Sequence, residues 1–291
     1  MYGLGFVNAI NAMRTIAAGE ITKTVARLCQ QANYSLPRDV HEALTTAFQK
    51  EGSPRAREIL TQISANARIA QEKSIALCQD TGIAEVFVNL GQDVHLEGEP
   101  LPDAVNRGVA LGYTEGYLRT SIVADPLDRV NTNDNTPAQL TVAIVPGDQI
   151  EITVLPKGGG TENASALRMF PPSAGWPGIV EFVIETVREK GINSCPPLIV
   201  GVGIGGSFSA VGKLAKTALL REVDSSAAGA YAAREKELLD AVNALGIGPM
   251  GLGGGTTALA VHIEHAPCHI ACLPVAVAMQ CHSMRRVTGA I

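Results

Sequence analysis

An α+β fold is what this sequence of 291 residues predicts. Three observations carry the prediction. Apolar residues recur at helical spacing through the first quarter of the chain. Short β-branched runs bounded by Gly, Pro and Asp follow from Ala84 onward. Helical and strand-like runs then mix without the regular β–α–β alternation of a doubly wound parallel sheet.

The elements are justified in order. Met1–Ile21 reads as a first helix, because no basic region precedes its apolar stretch and no cleavage signal follows it, unlike a secretory leader. Val40, Leu44 and Phe48 at i, i+4 and i+8 predict a helix over 36–48. Ser53-Pro54 predicts the start of another, with Ser as N-cap and Pro at the first helical position. Its apolar face runs through Ile59, Ile63, Ala67 and Ile69 toward Ala76, so 1–76 is expected to be mainly helical. Ala84–Leu90 reads as a strand and 101–118 as a helix. Leu140–Val145 and Ile150–Leu155 flank Pro146-Gly147-Asp148, which signals a hairpin. Lys157-Gly-Gly-Gly-Thr-Glu-Asn163 reads as a loop and Gly178–Lys190 as an amphipathic helix. Pro197–Val202 reads as a buried strand, followed by helices through Leu220 and over 227–245. Strand-like runs close the chain from Ala258, including the continuous apolar run Leu273–Met279. With no repeat, no low-complexity stretch and no linker, residues 1–291 are expected to form a single domain.

Composition sets the outer bounds. Hydrophobic residues make up 46% of the chain and charged residues 18%, which places it among globular proteins. The 23 basic side chains against 28 acidic ones give a net charge of −5. That sign argues against a nucleic-acid partner or an anionic membrane surface, both of which select a basic footprint. No window approaches the roughly 18 consecutive apolar residues of a membrane span. The six cysteines are too few for a disulfide scaffold in a chain of this length, so a reducing, cytoplasmic location with free or metal-bound thiols is expected. A positive mean hydropathy of +0.16 with so few charges points to a surface that another chain covers.

Several motifs could carry chemistry. Gly201-Val-Gly-Ile-Gly-Gly206 satisfies a dinucleotide-binding spacing after a strand, with Glu222 and Asp224 further on. The segment that follows is helical and leads into another helix, so the acidic residues cannot sit at a strand tip to bind ribose. A strand-to-helix turn whose glycines let backbone N–H groups approach an anion fits better, and a tight turn without a ligand is the plain alternative. In Lys157-Gly-Gly-Gly the Lys precedes the glycines, which excludes a Walker loop. Cys78, Cys195 and Cys281 each sit at an element end beside turn chemistry, where an exposed ligand belongs. Pro196-Pro197 is expected to hold Cys195 extended before its strand. Cys29 lies inside a helix and reads as core. His262-Ile-Glu-His265-Ala-Pro-Cys268-His269-Ile-Ala-Cys272 is dense in zinc-type ligands, yet its spacings match no familiar zinc pattern.

Taken in order, Ala76-Leu-Cys78-Gln79-Asp80-Thr-Gly82, Asp125-Pro-Leu-Asp-Arg129-x-Asn131-Thr-x-Asp134-Asn135-Thr-Pro, Lys157-Gly-Gly-Gly, Asn193-x-Cys195-Pro-Pro-x-x-Val-Gly-Val-Gly-Ile-Gly-Gly, and His269-x-Ala-x-x-Pro274-x-Ala-Val with Cys281 and Arg285 form a pattern. It resembles the α-type catalytic region of the class I, iron–sulfur fumarate hydratase and tartrate dehydratase family. The resemblance spans nearly the whole chain.

It implies a 4Fe-4S cluster ligated by Cys78, Cys195 and Cys281, with one iron left open as a Lewis acid. It further implies that Gln79, Asp80, Arg119 and His269 line the site. Asp80 would belong to the acid/base relay, His269 would touch substrate or bound water, and Arg119 would pair with a substrate carboxylate. Gly160 would approach the substrate through its backbone. Single-chain relatives continue into a second, β-type region, so this chain is expected to be an α subunit completed by a separate β subunit, in a heterotetramer of two α and two β chains. The expected reaction is reversible hydration of fumarate to (S)-malate, because the Lys157 and His269 motifs look closer to fumarases. L-tartrate dehydration is the alternative substrate reading. A non-catalytic scaffold or regulatory subunit is the alternative of another class.

Overall fold

The computed structural model describes residues 13–291, and the expected helix at Met1–Ile21 falls largely outside them. Where it can be compared, it is corrected. Arg14–Ala17 forms strand β1, and helix α1 (Ala18–Tyr34) begins only afterward. Helices α2 (Arg38–Lys50) and α3 (Pro54–Lys73) follow, then strands β2 (Ile83–Gly91) and β3 (Val94–Glu97) and helix α4 (Leu101–Glu115). Next come β4 (Gln139–Val145), β5 (Ile150–Lys157), the short helix α5 (Gly159–Asn163), β6 (Ala166–Phe170) and α6 (Gly175–Lys190). The chain continues with β7 (Leu198–Gly206), α7 (Phe208–Ala218), α8 (Ala230–Asn243), β8 (Ala258–Cys268), β9 (Leu273–Gln280) and β10 (Val287–Ala290). The fold is α+β, as the sequence predicts. Among the described residues no helix is long and apolar enough to cross a membrane.

Backbone contacts divide the chain into two compact units. One gathers residues up to Gln30 with Ala84–Val154 and Val287–Ile291, and the other joins Gln31–Ile83 to Leu155–Arg286. In the first unit β1 pairs parallel with β3, and a four-stranded sheet runs in the order β10-β5-β2-β4. The predicted hairpin between β4 and β5 does not form, because β2 lies between them. β4 pairs parallel with β2, from Glu85 opposite Gln139 to Gly91 opposite Val145. The backbone N–H groups of Gly91, Gln92 and Asp93 donate to Gln149, Val145 and Gly147. These bonds seat the end of β2 between the two runs that flank the Pro146-Gly147 turn. A local turn signal is silent about a third strand that inserts from 50 or more positions away.

The second unit is built on the sheet β6-β9-β7-β8. Its strands sort by alternation, since successive side chains point to opposite faces. Leu198, Val200, Val202 and Ile204 of β7 join Val275, Val277 and Met279 of β9 in one core cluster with Phe182 and Val183 of α6 and Leu238 and Val242 of α8. Each fully buried Val, Leu or Phe contributes about 1.5–3 kcal/mol of transfer free energy. The other face is paved with small residues, and α7 packs directly on it. A Cβ at Gly201 would lie 2.2 Å from the Ala215 carbonyl oxygen, and one at Gly203 would lie 2.3 Å from that of Val211. The glycine run therefore does not serve as an anion-binding turn at these positions. It lets a helix backbone rest on a strand.

His262 of β8 is buried, and neither ring nitrogen has a hydrogen-bond partner. Burial pushes its pKa down to about 4, with Arg221 and Arg286 adding to the shift and Glu235 and Asp39 opposing it. The unfolded chain takes up this proton near the ordinary value of 6.5, whereas the folded chain refuses it until about pH 4. Stability from this group is therefore full above pH 6.5 and falls across that window as pH drops, by roughly 2–3 kcal/mol. In thermal unfolding at pH 7 and pH 5, His262→Leu should leave the higher-pH midpoint near or above that of the wild type and flatten the decline. An unchanged decline would show that another group drives it.

Candidate active site

Three connections at one end of the second unit carry the cysteines. Helix α3 is capped by Ser53, whose side chain accepts the Ala56 N–H, and it ends at Ser74 in a left-handed conformation. The chain then turns, and the Leu77 N–H donates to the Asn33 carbonyl at 2.8 Å, which sets Cys78 just beyond. Cys195 follows a 3-10 turn at Gly191–Ser194. It does not adopt the extended backbone expected before Pro196: its φ is 52° and its ψ is 67°. A left-handed non-glycine residue of this kind costs about 1–2 kcal/mol, which the surrounding contacts must offset. Cys281 directly follows β9.

The sheet brings two of these positions together. β7 and β9 are antiparallel with Ile199 opposite Gln280, so the start of β7 and the end of β9 are neighbours. The Cys195 carbonyl accepts hydrogen bonds from the His282 backbone N–H at 3.2 Å and from His282 Nδ1 at 3.0 Å. The thiols also sense one another. Burial raises the Cys195 pKa, and the charge of Cys78 raises it further. Burial raises that of Cys281 as well, with Arg285 and the Ser283 N–H opposing and Cys78 and Cys195 adding to the rise. Cys29 is different: it is buried in α1, and burial alone pushes its pKa up to about 12, the mark of an inert core thiol.

Asp80 is fixed beside these loops. Its Oδ1 accepts the Gly82 N–H at 3.1 Å, and its Oδ2 accepts the Gly159 N–H at 2.7 Å. Its carbonyl accepts from Arg285 at 2.9 Å. Gly82 has φ +75°, and a Cβ there would stand 2.6 Å from the Lys157 carbonyl oxygen, so the Cys78–Gly82 loop lies flat against the end of β5. Gln79 is exposed at the surface of this loop.

The segment expected to be a loop after Lys157 is instead the helix α5. Lys157 is fully buried, donates to Thr161 Oγ1 at 3.0 Å and pairs with Glu162 at 3.4 Å. Lys216 pairs with the same carboxylate at 3.1 Å. Burial disfavours the Glu162 carboxylate, but the two lysines outweigh it and hold its pKa below the ordinary value. Thr161 Oγ1 lies 3.1 Å from Gln280 Oε1, and Gln280 donates from Nε2 to the Pro156 carbonyl. The helix is thus moored to the residue that precedes Cys281. Gly160 is exposed on it, with the Asn193 carbonyl 3.0 Å from where its Cβ would be.

Within the second unit, one expected site residue stands apart from these loops. His269 lies in the β8–β9 connection, ahead of β9, whereas Cys281 lies behind it. An eight-residue strand separates them, about 26 Å at 3.3 Å per residue. His269 instead lines a cavity of about 360 Å³ with Trp176, Tyr231, Arg234 and Cys272. Arg119 belongs to the first unit, exposed just past α4.

The dense His/Cys run does not converge either. His262 is buried in β8, His265 stacks on Tyr231 with ring centroids 4.1 Å apart, and Cys268 donates to the Cys272 carbonyl. Among the described residues no three His, Cys, Asp or Glu side chains gather closely enough to hold a single metal ion. Sequence reasoning missed Lys157, Thr161 and Gln280 as a network. The only available signal was a Lys and a Thr four positions apart, which fits any helix start.

An α+β chain with this site is of the hydro-lyase class by its relatives. Residues 22–290 match the family model described as fumarate hydratase (Fumerase). The "Putative L(+)-tartrate dehydratase subunit alpha" of Methanocaldococcus jannaschii is 42% identical over 274 residues, 92% of this chain and 96% of that one. The L(+)-tartrate dehydratase subunit alpha of Escherichia coli is 35% identical over 277 residues, 94% of this chain and 91% of the relative, and that of Shigella sonnei is 34% identical over the same length. This chain belongs to the fumarate hydratase (Fumerase) family.

The site makes one prediction about folding. Gly82→Ala must either displace the Lys157 backbone or abandon the left-handed turn, and should cost about 1–3 kcal/mol. A drop in thermal midpoint of several degrees checks it. An unchanged midpoint would mean that the loop can move away from β5 freely.

Proposed function

We propose that this chain is the α subunit of an iron–sulfur hydro-lyase that adds water to, or removes it from, a four-carbon dicarboxylate, completed by a separate β-type subunit. The carrying observation is geometric: the β7–β9 register sets Cys195 beside the segment that follows Cys281, and Arg285 of that segment holds the loop of Cys78 through the Asp80 carbonyl. Three thiolates with no histidine among them are a donor set that iron–sulfur centres use. A 4Fe-4S cluster on these three thiolates would keep one iron free of protein ligands, and such an iron supplies Lewis-acid chemistry.

The chain's own residues would do the rest. Two backbone N–H groups fix the Asp80 carboxylate in one orientation, and each of its oxygens keeps a lone pair with which to hold a proton taken from, or returned to, the substrate carbon. The exposed Gln79 amide can donate to a substrate carboxylate, and the Gly160 backbone can approach it without a side chain in the way. Arg119 has the planar fork that binds a carboxylate through two oxygens.

We take fumarate and (S)-malate as the substrate pair. The names of the relatives favour L(+)-tartrate as a second reading. Separate assays of both substrates, with the β-type partner present, decide between them: turnover of tartrate alone overturns the fumarate assignment.

Anaerobic reconstitution with iron and sulfide should give broad visible absorbance that Cys281→Ser weakens. Stoichiometric zinc uptake without a cluster would refute the reading. Asp80→Asn should lower kcat about a hundredfold or more, since it removes the proton-holding group. Full activity in that variant would instead favour a scaffold role and remove Asp80 from the chemistry.

A further inference from the structure

Arg285 is among the largest fully buried side chains of the protein, only 2% exposed. A buried guanidinium is ordinarily matched by a carboxylate, because an unmatched charge away from water costs several kcal/mol. Among the described residues Arg285 has no such match. Its two terminal nitrogens donate to neutral oxygens, Asn33 Oδ1 at 2.9 Å and the Asp80 carbonyl at 2.9 Å. Its buried Nε has no partner. The neighbouring Arg286, by contrast, pairs with Asp39 at 2.7 Å. One cation of the pair is conventionally neutralised and the other is left over, four positions beyond Cys281.

We propose that Arg285 is a positioning residue of the three-thiol site, clamping the Cys78–Asp80 loop and supplying the positive charge that a thiolate-bound centre balances. The clamp follows from hydrogen-bond geometry, and the charge role from the burial of a cation without a matching carboxylate. The guanidinium bridges the end of α1 and the Asp80 backbone, so the carboxylate that Gly82 and Gly159 orient from one side is anchored from the other. Among the described residues no carboxylate pairs with this cation. The anions at hand are cysteine thiolates: Cys281 lies four positions before it and Cys78 two positions before the carbonyl it holds, and thiols must shed their protons to bind metal. A cation placed there in advance lowers the cost of assembling three thiolates in one place. The inference rests on the cluster reading above for its second half only.

The test uses the full chain as Arg285→Met, Arg285→Lys and, as a surface control of equal charge change, Arg68→Met. Iron and acid-labile sulfide retained after anaerobic reconstitution and desalting are measured, together with hydrogen exchange of the 78–82 amides in the metal-free chain. Arg285→Met should retain metal about tenfold less well, as outer-shell losses do. Arg285→Lys should recover much of it by restoring charge, and Arg68→Met should match the wild type. Exchange at 78–82 should quicken in Arg285→Met.

Equal loss in the Met and Lys variants overturns the charge role. Wild-type retention in Arg285→Met, or unchanged exchange, overturns the proposal. Wild-type protein that takes up no iron refutes the cluster reading and with it the balancing charge. The clamp then stands or falls on the exchange measurement.

Discussion

The register of β7 against β9 is the constraint on which the site depends. Ile199 faces Gln280 across an antiparallel pair, and that single alignment puts the residues before β7 next to those after β9. It thereby makes neighbours of Cys195 and Cys281, which are far apart in sequence. A slip of one residue would exchange the two faces of the strand. Leu198, Val200 and Val202 would then leave the core shared with α6 and α8 and meet α7 instead. That face cannot receive them, because α7 lies on Gly201 and Gly203 with no room for even a Cβ. The glycines thus act as a register lock whose consequence is felt at the thiols.

Charge is arranged around the same end of the unit with unusual concentration. Lys157, Glu162, Lys216, Arg285, Arg286 and Asp39 all lie on or beside the loops that bear the cysteines or on the elements that hold those loops. Most are matched in pairs. The Lys157–Glu162–Lys216 group carries two cations for one carboxylate, and the α5 helix it stabilises presents the Gly159 N–H to Asp80. Buried groups of this sort add little net stability, because desolvation offsets their attraction. Their effect is to specify one conformation of the loops. An Asp80 carboxylate held by two N–H groups, with its own carbonyl held by a guanidinium, has little freedom left to lose when a ligand arrives.

What the sequence made legible was local. The Ser53-Pro54 cap, the apolar face of α2, the buried run of β9 and the α+β class all follow from periodicity and turn chemistry within a dozen residues. The three element-end cysteines were visible for the same reason. What it hid was long-range. The Pro146-Gly147 turn reads as a hairpin because nothing nearby announces that β2 will insert. The run Gly201–Gly206 reads as an anion-binding turn because glycine beneath a helix and glycine beneath a phosphate leave the same trace. Cys195 before Pro196 reads as extended, yet the 3-10 turn ahead of it and the two His282 bonds behind it hold it left-handed. His269 shows the limit most plainly. A motif carries residue type, whereas the length of β9 decides where that residue stands.

The dispersion of the three thiols over three connections has a thermodynamic consequence. A local pair such as C-x-x-C presents two ligands from one turn, and it can bind metal while the rest of the chain is unfolded. Here Cys78 is set by the end of α3, Cys195 by the start of β7 and Cys281 by the end of β9, so the unfolded chain contains nothing resembling the site. Any centre that binds all three favours the folded state alone, and its binding free energy is added to the stability of the sheet that positions them. The coupling runs the other way as well. Whatever loosens the β7–β9 pairing separates Cys195 from Cys281. Stability of the second unit and the binding of any centre to these three cysteines would then be one linked equilibrium.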